Sequence, residues 1–117
     1  MASALVGEHD FTSFCASDSG AKTRIRRILD IRTVDKSQDL CEVWILGEGF
    51  LKQMVRAIVG TLVQGALGKI EPSEMAAILA ARDRKQAGKT APAHGLCLVR
   101  IFYEPVNDLS SFLSQYQ

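Results

Sequence analysis

The stretch from Gly47 to Gly60, GEGFLKQMVRAIVG, constrains the fold more than any other part of the chain. Its apolar side chains recur at helical spacing and form one stripe, made of Leu51, Met54, Val55, Ile58 and Leu62. The pattern predicts a buried helix that continues to about Leu67, where glycines loosen its end. On a helical wheel, the face away from this stripe carries Lys52, Gln53, Arg56, Ala57 and Gly60.

Arg56 is the residue of chemical interest on that predicted helix. Gly60 follows one turn later and removes side-chain bulk beside the guanidinium, so another backbone or a flat ligand can approach. A polar residue with space beside it is typical of a site contributed by a helix. The alternative is that Arg56 is a surface arginine and Gly60 a helix-packing contact, and the pattern alone favours that alternative.

The remaining sequence predicts strands around two helices. Residues 24–34 alternate as a strand, with Ile25, Leu29 and Ile31 on one face and Ile28 on a basic outer face. Residues 40–46 form a second strand, and the short polar turn between the two indicates an antiparallel hairpin. Proline in the first turn starts a second helix at residues 71–73, which ends before Gly88. Residues 96–103 predict a central third strand, and Leu109, Phe112 and Leu113 a short terminal helix.

This order of elements predicts an α+β fold, with two main helices packed on one face of an antiparallel sheet. The 117 residues are expected to form a single domain, residues 1–117. No apolar run approaches the roughly 18 residues that span a membrane, and no secretory signal is apparent. The three cysteines support neither a disulfide framework nor a zinc site, so we expect a cytoplasmic protein.

Charge is unevenly distributed on a chain whose net charge is only +1. Residues 22–32 carry five basic side chains against Asp30, and residues 82–89 carry four against Asp83, which we expect to form local ion pairs. Such clusters predict contact with a polyanion such as RNA, although solvated loops and strand edges also collect lysine and arginine. Neither histidine lies in a nucleophile–base arrangement, and nucleotide-binding and metal-ligand motifs are absent.

Three segments in register change this interpretation. They read HDFTSF at residues 9–14, FLKQMVRAIVG at residues 50–60, and APAHGL at residues 91–96, followed by the strand LVRIFYE. In this order and spacing they resemble the C-terminal half of the bacterial tRNA pseudouridine synthase A family, over about residues 2–105. The resemblance implies a dimeric enzyme that isomerises uridine to pseudouridine in the anticodon stem-loop of tRNA without a cofactor or metal.

The resemblance also implies roles for single residues. Arg56 matches the arginine that pairs with the catalytic aspartate, and Gly60 would leave room for the extruded uracil. Gly95 and Leu96 match the loop whose leucine packs against the target base. The family aspartate stands in an arginine-threonine-aspartate-alanine-glycine stretch that this chain lacks. We therefore expect half of an enzyme, inactive alone, whose partners are tRNA, the missing N-terminal half and a second copy.

Charge reasoning adds a predicted RNA-binding surface, and two departures from the family pattern bear on the site. We expect tRNA phosphates to meet Lys22, Arg24, Arg26, Arg27 and Lys52. Cys97 stands where an aromatic residue is common, and Glu48 adds a carboxylate that competes for Arg56. We interpret residues 9–14 as a helical turn that is anchored by Phe11 and Phe14. The competing hypotheses are a stand-alone RNA-binding module and a structural or dimerisation domain without catalysis.

Overall fold

The described residues form a sheet of three antiparallel strands. The computed structural model describes residues 1–38, 40–98 and 108–113. Strands β1 (Gly7–Asp10), β2 (Ile25–Ser37) and β3 (Leu40–Gly47) lie side by side in that order. Ile31 pairs with Ile45 in the β2–β3 hairpin, and His9 pairs with Arg26 across β1 and β2. The predicted α+β class and antiparallel hairpin are confirmed. The predicted helical turn is shorter than expected, because residues 9 and 10 belong to β1.

Two main helices follow the hairpin. Helix α1 spans Met54–Ala66, α2 spans Met75–Ala81, and the terminal turn α3 spans Ser110–Leu113. Short 3-10 helices occupy Ala2–Leu5, Thr12–Phe14, Pro72–Glu74, Arg84–Gln86 and Ala93–Gly95. Helix α1 begins later than predicted, because Gln53 adopts a left-handed conformation with φ 60°. It ends as predicted: Gly68 has φ 79°, and the amide of Lys69 donates to the Gln64 carbonyl at 3.0 Å.

Buried apolar side chains pack on both faces of the sheet. Buried side chains of both main helices, Met54, Ile58, Met75 and Ile78 among them, share one cluster with Ile28 of the sheet. Neighbouring strand residues alternate between faces, so Trp44 and Leu46 lie opposite Ile45. There they pack against Leu109 and Leu113 at α3. The two main helices therefore cover one face, as predicted, and the terminal helix covers the other.

Strand β2 departs from strict alternation. Ile28 is fully buried and Ile31 packs against the same core, whereas Ile25 is 49% exposed. The pairing with β3 shifts between Ile28 and Asp30, and such a bulge inserts one residue and brings Ile28 and Ile31 to the same face. The prediction that placed Ile28 on the outer face and Ile25 inside was therefore wrong.

The last predicted strand is tested only at its start. Residues 96–98 have no strand pairing, and Leu98 is 74% exposed. Residues 99–103 lie outside the described part of the chain. The predicted terminal helix is present as α3, with Leu109 and Leu113 buried, while the Phe112 side chain lies outside the described set.

Candidate functional site

Arg56 lies in the first turn of α1 and is half-buried. Its Nε donates a hydrogen bond to the Ala91 carbonyl at 2.8 Å, and its own carbonyl accepts one from the Ala91 amide at 3.0 Å. No carboxylate of residues 1–38, 40–98 or 108–113 forms an ion pair with the guanidinium. The side chain is thus oriented by a backbone carbonyl, and its charge is left without an acidic partner among these residues.

Glu48, the carboxylate expected to compete for Arg56, lies elsewhere. Its carboxylate pairs with Arg27 at 3.9 Å, and its amide donates to the Arg27 carbonyl at 3.0 Å. Both side chains are solvent-exposed, so this pair is weak. The competition anticipated from the sequence is not observed.

The space beside Gly60 is filled by backbone. A Cβ built at this position would overlap the Lys89 carbonyl oxygen and lie 3.1 Å from the Ala91 amide nitrogen. Ala57, one turn earlier, is fully buried. The sequence left two occupants open, a backbone or a flat ligand, and the structure places the backbone there. The face opposite the apolar stripe is therefore covered at Ala57 and Gly60, where residues 88–91 pack, and exposed at Lys52 and Gln53.

We call residues 84–91 the clasp, because their backbone packs against α1 between Arg56 and Thr61. Fully buried Thr61 donates to the Ala57 carbonyl at 2.8 Å and accepts from the Gly88 amide at 2.9 Å. Half-buried Arg84 donates through Nη1 to the Gly88 carbonyl and through Nη2 to the Thr90 hydroxyl, both at 2.8 Å. Sequence reasoning missed both residues. The sequence places Arg84 in a basic cluster that could contact RNA or belong to a solvated loop, whereas its terminal nitrogens bind Gly88 and Thr90.

A second buried hydroxyl fixes the segment that enters the clasp. Ser13 donates to the Ile78 carbonyl at 2.6 Å and accepts from the Asp83 amide at 2.9 Å. The Asp83 carboxylate accepts the Lys85 amide at 3.0 Å. Among the described residues Asp83 forms no ion pair, contrary to the prediction, because it caps the 3-10 helix Arg84–Gln86.

The predicted base-contacting residues follow the clasp. Gly95 ends the 3-10 helix Ala93–Gly95, and a Cβ built there would meet nothing within 4 Å. Leu96 is 52% exposed, with its amide bonded to the Ala93 carbonyl at 2.9 Å. An exposed leucine thus stands on an ordered turn five residues after Ala91.

The predicted RNA-contacting cations differ in how their charges are used. Lys52 donates to Asp18 at 3.0 Å, and this hydrogen bond holds the pKa of the Asp18 carboxyl below its usual value. Arg27 pairs with Glu48. Arg24 and Arg26 donate to backbone carbonyls, those of Ser17, Thr23 and Ile25. Exposed Lys22 has no partner within the described ranges. Two of the five, Arg27 and Lys52, therefore form ion pairs with carboxylates.

The comparisons with known proteins now decide the family. A family model described as "tRNA pseudouridine synthase" matches residues 1–104. The chain belongs to that family. It is similar to the tRNA pseudouridine synthase A of Bacillus pumilus, with 48% identity over 100 residues, which is 86% of this chain and 40% of the relative. The Geotalea daltonii protein of the same name is 50% identical over 102 residues, 87% of this chain and 41% of the relative.

Length sets this chain apart from these synthases. The Bacillus subtilis tRNA pseudouridine synthase A is 44% identical over 100 residues, and the match again covers 40% of its length. The chain spans about 40% of the curated relatives it matches. Within the part of the chain that the structure describes, no helix can cross a membrane, and no three His, Cys, Asp or Glu side chains are placed to hold a metal ion. Cys15, Cys41 and Cys97 are free.

Proposed function

We propose that this chain supplies the arginine side of the active site in a synthase that converts uridine to pseudouridine in the anticodon stem-loop of tRNA. The catalytic aspartate would come from a segment that the chain does not contain. One observation carries this proposal: Arg56 is half-buried, oriented through Nε by Ala91, and has no carboxylate partner among the described residues. A charge held in this way suits a carboxylate that arrives from outside.

The chemistry explains why such an arginine is useful. In the isomerisation the bond from N1 of uracil to C1′ of ribose breaks, the base turns, and a bond from C5 to C1′ forms. C5 loses its proton and N1 gains one, so atoms and electrons balance without an external acceptor, and we propose no cofactor. A guanidinium forks onto a carboxylate and favours its ionised form. Nε is engaged by Ala91, which leaves Nη1 and Nη2 for the aspartate.

The target base must leave its stack before it can react. We assign Gly95 and Leu96 to the wall that receives it, since that turn is ordered and its leucine is exposed. Gly60 receives a revised role: it admits the clasp backbone that orients Arg56, and it acts on the base only through that loop.

We further infer that tRNA phosphates meet Lys22, Arg24, Arg26, Arg27 and Lys52, that the working enzyme is a homodimer, and that it resides in the cytoplasm with its tRNA substrate.

The proposal is tested by supplying the missing segment. The chain is produced together with the part of the Bacillus subtilis relative that it does not match, separately or fused. Pseudouridine formation is followed as release of tritium from C5-labelled uridine in tRNA. We expect turnover from the combination and none from either piece. Arg56→Ala should abolish turnover, and Arg56→Lys should lower it at least tenfold, since an ammonium keeps the charge but loses the fork.

The control is Lys69→Ala, which removes an exposed cation after α1 that has no role in the proposed site. It should leave turnover unchanged. Full turnover in Arg56→Ala would remove Arg56 from the active site. A combination that binds tRNA without forming pseudouridine, under conditions where the intact relative is active, would favour the RNA-binding module instead.

A further inference from the structure

The clasp fixes the direction of the Arg56 guanidinium. That group is planar, so a hydrogen bond that holds Nε also sets the plane in which Nη1 and Nη2 lie. Nε is held by the Ala91 carbonyl at 2.8 Å. Whatever places that carbonyl therefore decides where the two remaining nitrogens of Arg56 point.

Three contacts with α1 place the clasp backbone. The Gly88 amide binds the Thr61 hydroxyl at 2.9 Å, the Lys89 carbonyl packs on Gly60, and the Ala91 amide binds the Arg56 carbonyl at 3.0 Å. These contacts fix residues 88–91 of the clasp against the helix. Thr90 lies between them, and its side chain contacts Arg84.

The Arg84 side chain forms hydrogen bonds to two later residues of the clasp. Its Nη1 binds the Gly88 carbonyl and its Nη2 binds the Thr90 hydroxyl, each at 2.8 Å. The guanidinium is half-buried and forms no ion pair with any described carboxylate. An arginine placed only for RNA would extend into solvent, whereas this one uses both terminal nitrogens to bridge the residues immediately before Ala91.

We propose that Arg84 and Thr90 are positioning residues for pseudouridine formation, which act by holding the Ala91 carbonyl where it orients Arg56. This inference rests on the proposed function, because it assumes that Arg56 serves the reaction. The chain of contact runs from Arg84 to Thr90, then along one peptide link to Ala91, and from its carbonyl to Nε of Arg56.

The first test needs only the chain itself. In a sample with 15N-labelled arginine, the Nε–H signal of Arg56 is identified by its loss in Arg56→Lys. We expect that proton to exchange slowly with solvent because it is hydrogen-bonded. Thr90→Val keeps the shape but removes the hydroxyl, and should speed exchange about tenfold. Thr90→Ser keeps the hydroxyl and should retain slow exchange. Equal exchange rates of this proton in the parent protein, Thr90→Val and Thr90→Ser would overturn the proposal.

The second test uses the combined, active enzyme. Thr90→Val should lower kcat about tenfold or more with the KM for tRNA unchanged, because a small misplacement of a reacting group is costly to the rate. Thr90→Ser should restore kcat. In an Arg56→Lys background, Thr90→Val should lower kcat little further, since the two changes remove the same interaction.

The outcomes separate this inference from the proposed function. Loss of activity in Arg56→Ala, combined with unchanged kcat in Thr90→Val, would refute the positioning role and leave the proposed function intact. An unaffected Arg56→Ala enzyme would refute the proposed function. A Thr90→Val loss that is equally large in the Arg56→Lys background would assign Thr90 to general stability and overturn the inference.

Discussion

At the scale of single residues, two buried hydroxyls join helices to the segments that pack on them. Ser13 donates to the Ile78 carbonyl and accepts from the Asp83 amide. Thr61 donates to the Ala57 carbonyl and accepts from the Gly88 amide. An unpaired buried amide costs about 1–3 kcal/mol, so each hydroxyl stabilises the loop whose amide it accepts. Thr61 lies within an otherwise apolar segment and Ser13 beside polar neighbours, and in neither case does periodicity identify the carbonyl and amide that the hydroxyl contacts.

The carboxylate of Asp10 makes the free energy of unfolding depend on pH. Asp10 accepts the Thr12 amide at 2.9 Å and the Thr12 hydroxyl, and Arg82 lies 3.8 Å away. The Thr12 hydroxyl is the main cause that lowers the pKa of Asp10 below its ordinary 3.8. A pKa lower in the folded state means that ionised Asp10 stabilises the fold above pH 3.8, and that this is lost as pH falls through the lowered value.

Asp10→Asn should therefore lower the free energy of unfolding by about 1 kcal/mol at pH 7. The gap from the parent protein should narrow as pH falls toward about 3. Urea unfolding across this pH range measures both quantities. The matched control is Asp18→Asn, whose fully exposed carboxylate contacts exposed Lys52 and should matter little. A gap that stays constant with pH would contradict the prediction.

At the scale of elements, Gly60 is the position where α1 and the clasp meet most closely. Gly60→Ala places a Cβ on the Lys89 carbonyl, which is backbone and cannot move aside cheaply. We expect a net loss of about 1–3 kcal/mol in the free energy of unfolding. Gly65→Ala, in the same helix, is the control, because its Cβ overlaps only the end of the flexible Met1 side chain and lies in ordinary contact, 3.7 Å, with the Ile70 carbonyl oxygen. That change should be neutral or stabilising, since alanine favours helix by about 1 kcal/mol.

Thermal or urea unfolding of the two glycine variants measures this difference directly. In the combined enzyme, Gly60→Ala should also lower turnover, because the displaced clasp carries the Ala91 carbonyl away from Arg56. Equal stability of the two variants would mean that the clasp does not pack on the helix as described.

The same elements explain how far the sequence could be read. The apolar stripe predicted for α1 is buried at Leu51, Met54 and Ile58. The sequence could predict it because helical periodicity is a local property. The late start of the helix at Gln53 and the bulge in β2 depend on backbone conformations that periodicity does not encode. Covering of Gly60 depends on residues nearly thirty positions away. Family resemblance, more than periodicity, led us to propose Arg56 as a site residue, and its orientation by Ala91 was not predictable.

At the scale of the whole molecule, the sheet divides the described chain into two sides with different contents. The main helices, the clasp and the larger core lie on one face, and α3 with Val34, Trp44 and Leu46 lies on the other. Arg32 belongs to the second side, because it donates to Asp30 and Ser110. The basic residues 22–32 are thus divided: Arg32 donates a hydrogen bond to Ser110 of α3, and those before it are the ones that we propose for RNA contact.

This division leads to a prediction about tRNA binding by the chain. Lys22 is exposed, and Arg26 binds only carbonyls, so neither charge is neutralised by a described carboxylate. Each lost phosphate contact should reduce the slope of log affinity against log salt by about 1. Lys22→Ala and Arg26→Ala together should therefore weaken tRNA binding and flatten that slope by about 2. Lys69→Ala is the control, and affinities measured by filter binding across a salt series provide the slopes. An unaltered slope in the double variant would mean that Lys22 and Arg26 face away from the RNA.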